Sequence, residues 1–434
     1  MIMIGRRLLG FFLCVALLGL STGCKSTERQ SESEPAPDEE ASIQPEYAAP
    51  APSVQTVQFY RGDDERNLPV VELGSDQSLT LEFDLLKQQG RPLSVYFQHA
   101  DRQWRRDLSA SQILESFQDD RLLKYQSSRG TEVSYVHYVY RFPNDDIRFR
   151  ISGNYILRVT ERGRRDSVLF EQPFFVVEEK GQLQLRAKPV RVPGQPRPSL
   201  RPIARFTPPE GFRGNPSGHT ICFVRNGRLT DTRCKDRPLL VRQPQLEFRL
   251  ERDRAYAPTT AGYELDLSSL RSTAQIARID RTQSPYRVYL NPDRARFGEN
   301  TTGGTTHGQT IVRDALTSRI EPAVSAEYVK TVFSFVPAGE RPYSQPLKVS
   351  GSFVGMDPER GTTMEWNSAQ GQYEGTVLLK QGRYRYFYST ADPAFAKQIR
   401  GTRSRTQSTY TAFVYYRDAR YNTDRLLQTR GFAP

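Results

Sequence analysis

Residues 78–86 read SLTLEFDLL, and the alternation in this stretch decides the fold class. The apolar residues at every second position from Leu79 to Leu85 share one face of an extended strand, and the polar residues between them share the other. The same period of two recurs in EVSYVHYVYRF (132–142), YILRV (155–159) and RYRYFY (383–388). The sequence therefore predicts an all-β protein built from tandem immunoglobulin-like β-sandwich domains.

One short helix is predicted within LSASQILESF (108–117). Ser109 and Gln112 have the spacing of a capping box, in which the two residues satisfy each other's free backbone groups at the start of a helix. Ile113, Leu114 and Phe117 then share one apolar face.

The acidic pair Asp145 and Asp146 raises the question of an active site. Glycoside hydrolysis needs two acids on separate elements, about 5–10 Å apart across a sugar. These two are adjacent in the run Pro143-Asn144-Asp145-Asp146, which is typical of a turn because Pro fixes φ and Asn and Asp side chains bond to nearby backbone N–H groups. The sequence contains no motif of a known enzyme class, so no catalytic residue is predicted.

The N-terminus has the features of a bacterial lipoprotein signal. Arg6 and Arg7 precede the apolar run LLGFFLCVALLGL (8–20), which is shorter than the ~20 residues of a membrane span. The following LSTGC resembles a lipobox, so residues 1–23 are predicted to be a signal peptide and Cys24 the lipidation site. Residues 24–52 are rich in Ser, Pro, Glu and Ala, which predicts a disordered tether between a membrane and a soluble body.

The chain of 434 residues carries a net charge of +12. A basic surface is compatible with nucleic acid, but export from the cytoplasm argues against that partner. Anionic lipid headgroups, an acidic protein partner or simply a solvated basic surface remain open.

Cys222 and Cys234 are the cysteines that remain in the predicted exported body. A close pair outside the cytoplasm favours a disulfide, and Asn226-Gly227 between them is a hairpin turn signal. Two cysteines without further ligands make a poor zinc site. No metal and no cofactor is predicted.

The body divides by composition into three blocks. The Pro- and Arg-rich stretch 183–209 marks the first boundary, which predicts an N-terminal β-sandwich at 53–182, a middle β-rich domain at 183–321 and a C-terminal immunoglobulin-like β-sandwich at 322–434. In the last block, Gln381-Gly382 is interpreted as a hairpin turn. The alternating tyrosines that follow form either a wall of the sandwich core or a stacking surface.

Several stretches together resemble the plug proteins of the bacterial type IX secretion system. They cover most of the first block and nearly all of the last: VQTVQFYRG, LPVVELGSDQSLTLEFDLL, YFQHADRQWRRDLSASQILESF, FPNDDIRFRISGNYILRV, AEYVKTVFSFVP, YEGTVLLKQGRYRYFY and STYTAFVYYRDARYNTDRLL. The middle block matches weakly. Where the family commonly has His-Cys-Asp, this chain reads His99-Ala100-Asp101, so no role rests on a cysteine there.

The resemblance implies a non-enzymatic protein of the periplasm. Such plugs bind the periplasmic mouth of the outer-membrane translocon barrel and seal it when the barrel is not engaged with its cargo-accepting partner. The lipid anchor is then expected on the periplasmic face of the outer membrane. Loops carry binding more often than strands do, so the candidate interface lies around two signature turns, the first at Asp101–Trp104 and the second at Phe142–Asn154. The candidate residues are His99, Asp101, Trp104, Pro143, Asn144, Asp145, Gly153 and Asn154.

The alternative function is a glycan-binding lipoprotein. The last block is similar in outline to the immunoglobulin-like carbohydrate-binding modules that accompany starch-acting enzymes. Trp366 and Tyr373 are then the candidates for stacking on sugar rings.

Overall fold

A computed structural model describes residues 45–195, 197–258, 262–294, 310–315, 321–355, 357, 359–392, 395 and 408–434. The predicted signal peptide, the lipidation site Cys24 and the tether as far as residue 44 lie outside these residues. Within the described ranges, no helix has the length and apolar character needed to cross a membrane. The prediction of an all-β chain of sandwich domains is confirmed.

The first sandwich packs the sheet β1-β3-β7-β6 against the sheet β2-β9-β8-β4-β5. The alternating apolar residues from Leu79 to Leu85 are fully buried between the two sheets, as the sequence predicts. The elements are β1 (Val54–Arg61), β2 (Val70–Glu72), β3 (Leu79–Leu85), β4 (Leu93–Ala100), α1 (Ala110–Ile113), β5 (Asp119–Leu122), β6 (Tyr125–Ser127), β7 (Val136–Phe142), β8 (Gly153–Glu161) and β9 (Val168–Val177).

The predicted helix is the single turn α1. The Ser109 N–H donates to Gln112 Oε1 at 2.9 Å, in the arrangement of a capping box. Ile113 and Leu114 are buried, but the side chain of Phe117 is 63% exposed. The expectation that Phe117 shares their buried face is therefore wrong, because the helix ends at Ile113 and the chain turns away.

The second sandwich begins after β9. Six of its strands follow directly along the chain: β10 (Gln182–Val190), β11 (Ser199–Thr207), β12 (His219–Arg225), β13 (Arg228–Lys235), β14 (Leu240–Arg242) and β15 (Gln245–Arg249). Strands β10, β11, β15 and β14 form one sheet in the order β10-β11-β15-β14. Two 3₁₀ turns, Glu210–Phe212 and Pro216–Gly218, connect β11 to β12.

The third sandwich follows, and its core is rich in tyrosine and phenylalanine. One sheet has the order β16-β26-β22-β23 and the other β17-β18-β21-β25-β24. The elements are β16 (Tyr263–Asp266), β17 (Ile276–Asp280), β18 (Arg287–Leu290), β19 (Asp293–Arg294), β20 (Ile311–Val312), α2 (Pro322–Ser325), β21 (Tyr328–Val336), β22 (Lys348–Gly351), a 3₁₀ turn (Ser352–Val354), β23 (Thr362–Thr363), β24 (Glu365–Asn367), β25 (Gln372–Lys380) and β26 (Gly382–Ser389).

The last two strands, β27 (Tyr410–Asp418) and β28 (Thr423–Phe432), return to the second sandwich. They complete its other sheet in the order β13-β12-β27-β28. The third sandwich is thus an insertion between β15 and β27, and the predicted boundary at 321/322 cuts through a sheet, because β18 pairs with β21. The three sandwiches span 54–178, 182–249 with 410–432, and 263–395.

Gln381-Gly382 does not form the expected hairpin turn. β25 and β26 belong to opposite sheets of the third sandwich, so the dipeptide carries the chain across the core. A Cβ on Gly382 would lie 2.5 Å from the carbonyl oxygen of Ile311, which leaves no room for a side chain.

The alternating tyrosines Tyr384, Tyr386 and Tyr388 are each 4% exposed, so they form the wall of a core.

The predicted tether ends earlier than residue 52. Ala48 donates its N–H to Glu171 Oε2 at 2.9 Å, and its carbonyl accepts the Glu171 N–H at 3.0 Å. The Ala51 N–H donates to the carbonyl of Leu169 at 2.8 Å. Tyr47 lies under the Arg360 guanidinium, 4.3 Å from ring centroid to Cζ. The last residues before β1 are therefore attached to the folded body.

A disulfide joins Cys222 on β12 to Cys234 on β13. The two residues are directly opposite each other in the antiparallel pair, and Asn226-Gly227 makes the predicted turn with positive φ at both residues. The hairpin therefore places both sulfur atoms on the same face of the sheet.

We predict that replacing both cysteines by alanine lowers the free energy of unfolding by about 3 kcal/mol, the loop-entropy value for a short closed loop. Chemical denaturation of the two proteins measures this difference. Mass spectrometry of the exported protein should find neither thiol alkylated before reduction. Labelling of both thiols without reductant would contradict the prediction.

Candidate functional site

Most of the predicted interface residues are buried inside the molecule. His99 is 0% exposed, Asn154 1%, Asp101 4% and Trp104 6%, and Gly153 is buried as well. Asn154 contacts Tyr415 on β27 of the second sandwich, whereas the ring of His99 lies 4.9 Å from that of Tyr155 in the core of the first sandwich. This corrects the expectation that both signature turns present a surface to a partner.

The first signature turn is held by Asp101. Its carboxylate accepts the N–H groups of Gln103 at 2.9 Å and Arg105 at 3.0 Å, and the Arg105 guanidinium at 2.8 Å. Trp104 takes a left-handed backbone conformation with φ of +65°. Its indole ring then packs against Phe175 with 5.5 Å between ring centroids.

The second signature turn packs directly against the first. Asn154 donates from Nδ2 to the carbonyl of Asp101 at 3.1 Å and accepts the hydroxyl of Tyr415 at 2.7 Å. A Cβ on Gly153 would lie 2.3 Å from His99 Nε2, so only glycine fits there. Asn154 therefore connects the turn to the second sandwich.

We call the contact between the first and second sandwiches the first seam. Its core contains side chains from both: Val70, Ala100, Trp104, Ile156, Phe175, Val177, Cys222, Val224, Cys234, Phe413, Tyr415 and Leu426. Phe175 and Phe413 approach to 4.5 Å between ring centroids. The Arg425 guanidinium donates two hydrogen bonds to Glu178, at 2.7 and 2.8 Å.

Hydrogen bonds favour the charged forms of two carboxylates at the first seam, Glu178 and Asp107. Burial alone would raise the pKa of Glu178, but hydrogen bonds from Arg425, Lys180 and Ser152 outweigh it and lower the pKa. Burial alone would also raise the pKa of Asp107, but the hydrogen bond from His99 outweighs burial, so the pKa of Asp107 is lowered as well. His99 Nδ1 lies 2.6 Å from Asp107 Oδ1.

The contact between the first and third sandwiches, the second seam, is organised by Asp84 and Lys380. The Lys380 ammonium donates to Asp84 Oδ2 at 2.6 Å, and both side chains are only 1% exposed. The Tyr328 hydroxyl donates to the same oxygen at 2.6 Å, and His137 Nδ1 lies 2.8 Å from Asp84 Oδ1. Lys380 also donates to the carbonyl of Ala323 at 2.6 Å.

The opposite charges of Asp84 and Lys380 compensate each other in the second seam. Burial alone would raise the pKa of Asp84, but Lys380 and His137 outweigh it, so the pKa lies below the usual value. Burial lowers the pKa of Lys380. The Lys380 ammonium stands 4.2 Å from the centroid of the Tyr135 ring, a cation–π contact.

Sequence reasoning missed this cluster. Asp84 sits on the polar side of β3, which a single sandwich would expose to water. The sequence did contain a signal for a buried polar pair, because the strand register places Asp84 opposite His137 on the adjacent strand. Nothing in the sequence indicates that Lys380, 296 positions away, completes the group.

The remaining three predicted interface residues lie on the outside. The Asn144 side chain accepts the N–H groups of Asp146 at 2.9 Å and Ile147 at 2.8 Å, which closes the turn. The Phe142–Pro143 bond is cis. The side chain of Asp145 is fully exposed and that of Asp146 is exposed as well. The acidic pair is therefore part of a turn at the surface.

Two large apolar side chains stand beside this turn. Phe117 is 63% exposed and Leu123 58% exposed. Both line an open recess of about 720 Å³ that Asn144 and Asp146 also line. We call these residues, together with Asp145, the rim of the first sandwich.

Comparison with known protein families identifies the first sandwich. Residues 54–178 match the family described as the Type 9 secretion system plug protein 1st domain. The first sandwich is a type IX secretion system plug domain. The match confirms the resemblance and associates the chain with that secretion machinery in the cell envelope. No curated protein matches the sequence significantly.

A solved structure has a fold similar to that of this chain. A crystal structure of a hypothetical protein from Parabacteroides merdae aligns with a TM-score of 0.80 at 22% identity, over 90% of this chain and 100% of that one. The two chains therefore share a fold. A Salmonella alpha-2-macroglobulin mutant aligns with a TM-score of only 0.17 at 12% identity, over 89% of this chain and 24% of that one.

The three histidines in the described part of the chain, and the sugar-stacking candidate Tyr373, have internal partners. His99 and His137 contact carboxylates, and His219 Nδ1 lies 3.1 Å from the carbonyl of Asn215. Among the described residues, no three His, Cys, Asp or Glu side chains group as metal ligands. Tyr373 is 4% exposed with its ring 5.0 Å from that of Trp366, so it is a core residue and does not offer a face to sugar.

We predict that Lys380→Met lowers the free energy of unfolding by about 3–5 kcal/mol, because it leaves Asp84 charged and buried without its partner. The double variant Asp84→Asn with Lys380→Met should recover at least about 2 kcal/mol of that loss. Chemical denaturation measures all three proteins.

The matched control is Lys348→Met, which breaks an ion pair with the exposed Glu359. Such pairs contribute less than about 1 kcal/mol. If Lys380→Met and Lys348→Met had equal effects, the second seam would not depend on the buried pair.

Proposed function

We propose that this chain is a non-enzymatic plug of the type IX secretion system. It binds the outer-membrane translocon barrel from the periplasmic side and seals the barrel while the cargo-accepting partner is not engaged. The observation that carries this proposal is the match of residues 54–178 to the plug domain. A wide pore left open would dissipate the permeability barrier of the membrane, so an idle translocon has to be closed.

The two seams support this role because a plug has to keep its shape. The first seam joins the plug domain to the second sandwich through apolar contacts and the Arg425–Glu178 pair, and the second seam joins it to the third through Asp84 and Lys380. Ordering a mobile body at each sealing event would cost conformational entropy. Internal contacts that already fix the sandwiches avoid that cost.

The rim of the plug domain is the surface proposed to contact the barrel. Phe117 and Leu123 are large apolar side chains left exposed beside a polar turn, and interfaces commonly combine apolar anchors with a polar surround. Asn144 and Asp145 contribute the polar part. The buried signature residues His99, Asp101, Trp104, Gly153 and Asn154 would then act indirectly, by fixing the plug domain on the rest of the body.

We predict that deleting this gene in a strain whose translocon lacks its cargo-accepting partner admits large hydrophilic antibiotics. Uptake of a fluorescent vancomycin measures the leak, and a plasmid with the wild-type gene should close it. Unchanged uptake after deletion would contradict the proposed function.

The rim is tested in the same strain. Phe117→Glu with Leu123→Glu should fail to close the leak and should reduce copurification of the barrel at least about tenfold, since each anchor is a candidate hot spot. Tyr421→Glu is the matched control, because Tyr421 is an exposed aromatic residue of the second sandwich. It should behave like the wild type.

The proposed location is the periplasmic face of the outer membrane, with Cys24 as the lipid anchor. We predict that Cys24→Ser, expressed with a non-lipoprotein leader, moves the protein into the soluble periplasmic fraction on washing with high salt. Cell fractionation measures the change. A wild-type protein that lacks acyl chains by mass spectrometry would refute the anchor.

A further inference from the structure

The sheet β10-β11-β15-β14 presents a face covered with positive charge. Residues opposite each other in neighbouring strands point to the same side, and the register places Arg205 between Gln184 and Glu247, with Leu240 next in line. The alternation along each strand then identifies the cations of this outer face, which we call the cationic face: Arg186, Lys188, Arg201, Arg205, Arg242 and Arg249.

Little negative charge balances these six residues. Glu247 accepts a hydrogen bond from Arg205 at 2.8 Å and lies 3.7 Å from Arg186. Lys188, Arg201, Arg242 and Arg249 form no ion pair with a carboxylate among the described residues. Burial and the neighbouring charges of Arg249 and Arg252 lower the pKa of Arg201, which shows that like charges crowd each other.

Leu240 is an exposed apolar residue on this face, and its neighbours Leu239 and Val241 are exposed at the edge strand on the opposite side of the alternation. Leu239 and Leu240 are each 45% exposed and Val241 is 48% exposed, three consecutive residues at the edge strand β14. Leu240 lines an open recess of about 230 Å³ together with Arg186, Arg205 and Arg242. Exposed apolar side chains that lie together and are rimmed by polar residues are typical of sites that contact a protein or a membrane.

We propose that the cationic face and the apolar edge of β14 bind the surface of an anionic phospholipid membrane. Guanidinium groups match the geometry of phosphate, and lipid headgroups present phosphates over an area rather than at one point. Cations at every second position of a strand are spaced about 7 Å apart, so they cover an area in the same way. Leu239, Leu240 and Val241 supply the apolar contact with the headgroup–acyl boundary.

An acidic protein is the competing partner for such a charge. The apolar residues favour the membrane, because they stand at the border of the face, where they can enter a lipid layer while the cations lie along its surface. The membrane contact also differs in kind from a lipid anchor at Cys24. It would orient the body on the membrane, whereas a flexible tether only keeps it nearby, and it does not require the translocon.

Vesicle sedimentation tests this inference with the chain from Lys25 onward, which contains the whole compact unit 42–434 and no acylated residue. Vesicles of phosphatidylethanolamine with about one-third phosphatidylglycerol should bind it at least about tenfold better than vesicles of phosphatidylcholine. Raising the salt from about 0.1 M to 1 M should abolish the difference, because screening shortens from about 10 Å to 3 Å.

Lys188→Glu with Arg242→Glu should weaken binding at least about 25-fold, at roughly fivefold for each cation lost near the surface. Leu240→Ser should weaken it several-fold without changing the salt dependence. The matched control is Arg162→Glu with Arg164→Glu, which changes the same charge in an exposed turn of the plug domain and should retain binding within about threefold of the wild type. If the reversal variant fails to fold by circular dichroism, Lys188→Gln with Arg242→Gln replaces it.

Three results would overturn the proposal: equal binding to both kinds of vesicle, equal losses in the test and control variants, or no binding to anionic vesicles. In the last case, salt-sensitive retention on immobilised polyglutamate would assign the face to an acidic protein instead.

Discussion

Asp84 and Lys380 come from different sandwiches, and each charge is removed from water by the same contact. A buried carboxylate or ammonium is strongly destabilising alone, so neither can stay in place unless the other arrives. The distance of 2.6 Å between them therefore depends on the first and third sandwiches docking in one relative position. Tyr328 and His137 add hydrogen bonds to the same carboxylate and restrict that position further.

The first seam applies the same constraint with different chemistry. Sheets that would be wet on one face in an isolated sandwich are covered on both faces here, and Phe175, Phe413 and Trp104 supply much of the apolar contact. The Arg425–Glu178 pair and the Asn154–Tyr415 hydrogen bond satisfy the polar groups at its border. Together the seams leave the plug domain held on two sides while its rim faces solvent.

The division between buried and exposed signature residues follows from these contacts. His99 and Asp145 both lie in turns that sequence reasoning treats as surface candidates. Only Asp145 stays exposed, and the described residues that line the recess beside its turn all belong to the first sandwich. The cationic face of the second sandwich stays exposed as well, since it is the outer face of the sheet opposite the first seam.

Local patterns in the sequence were enough for strands β3, β7, β8 and β26, for the faces of β3 and β8 that form the core, for the Asn226-Gly227 hairpin and for the turn at Asn144. Each of these features depends on residues a few positions apart. The types of those residues determine the backbone conformation of a turn or the buried face of a strand. Only the tertiary structure decided that β27 and β28 return to the second sandwich, that Gln381-Gly382 crosses a core, and that Asp84 meets Lys380. Those outcomes depend on which surfaces the sandwiches offer each other after they fold, and a strand pattern of period two looks the same whether its second face meets water or another domain.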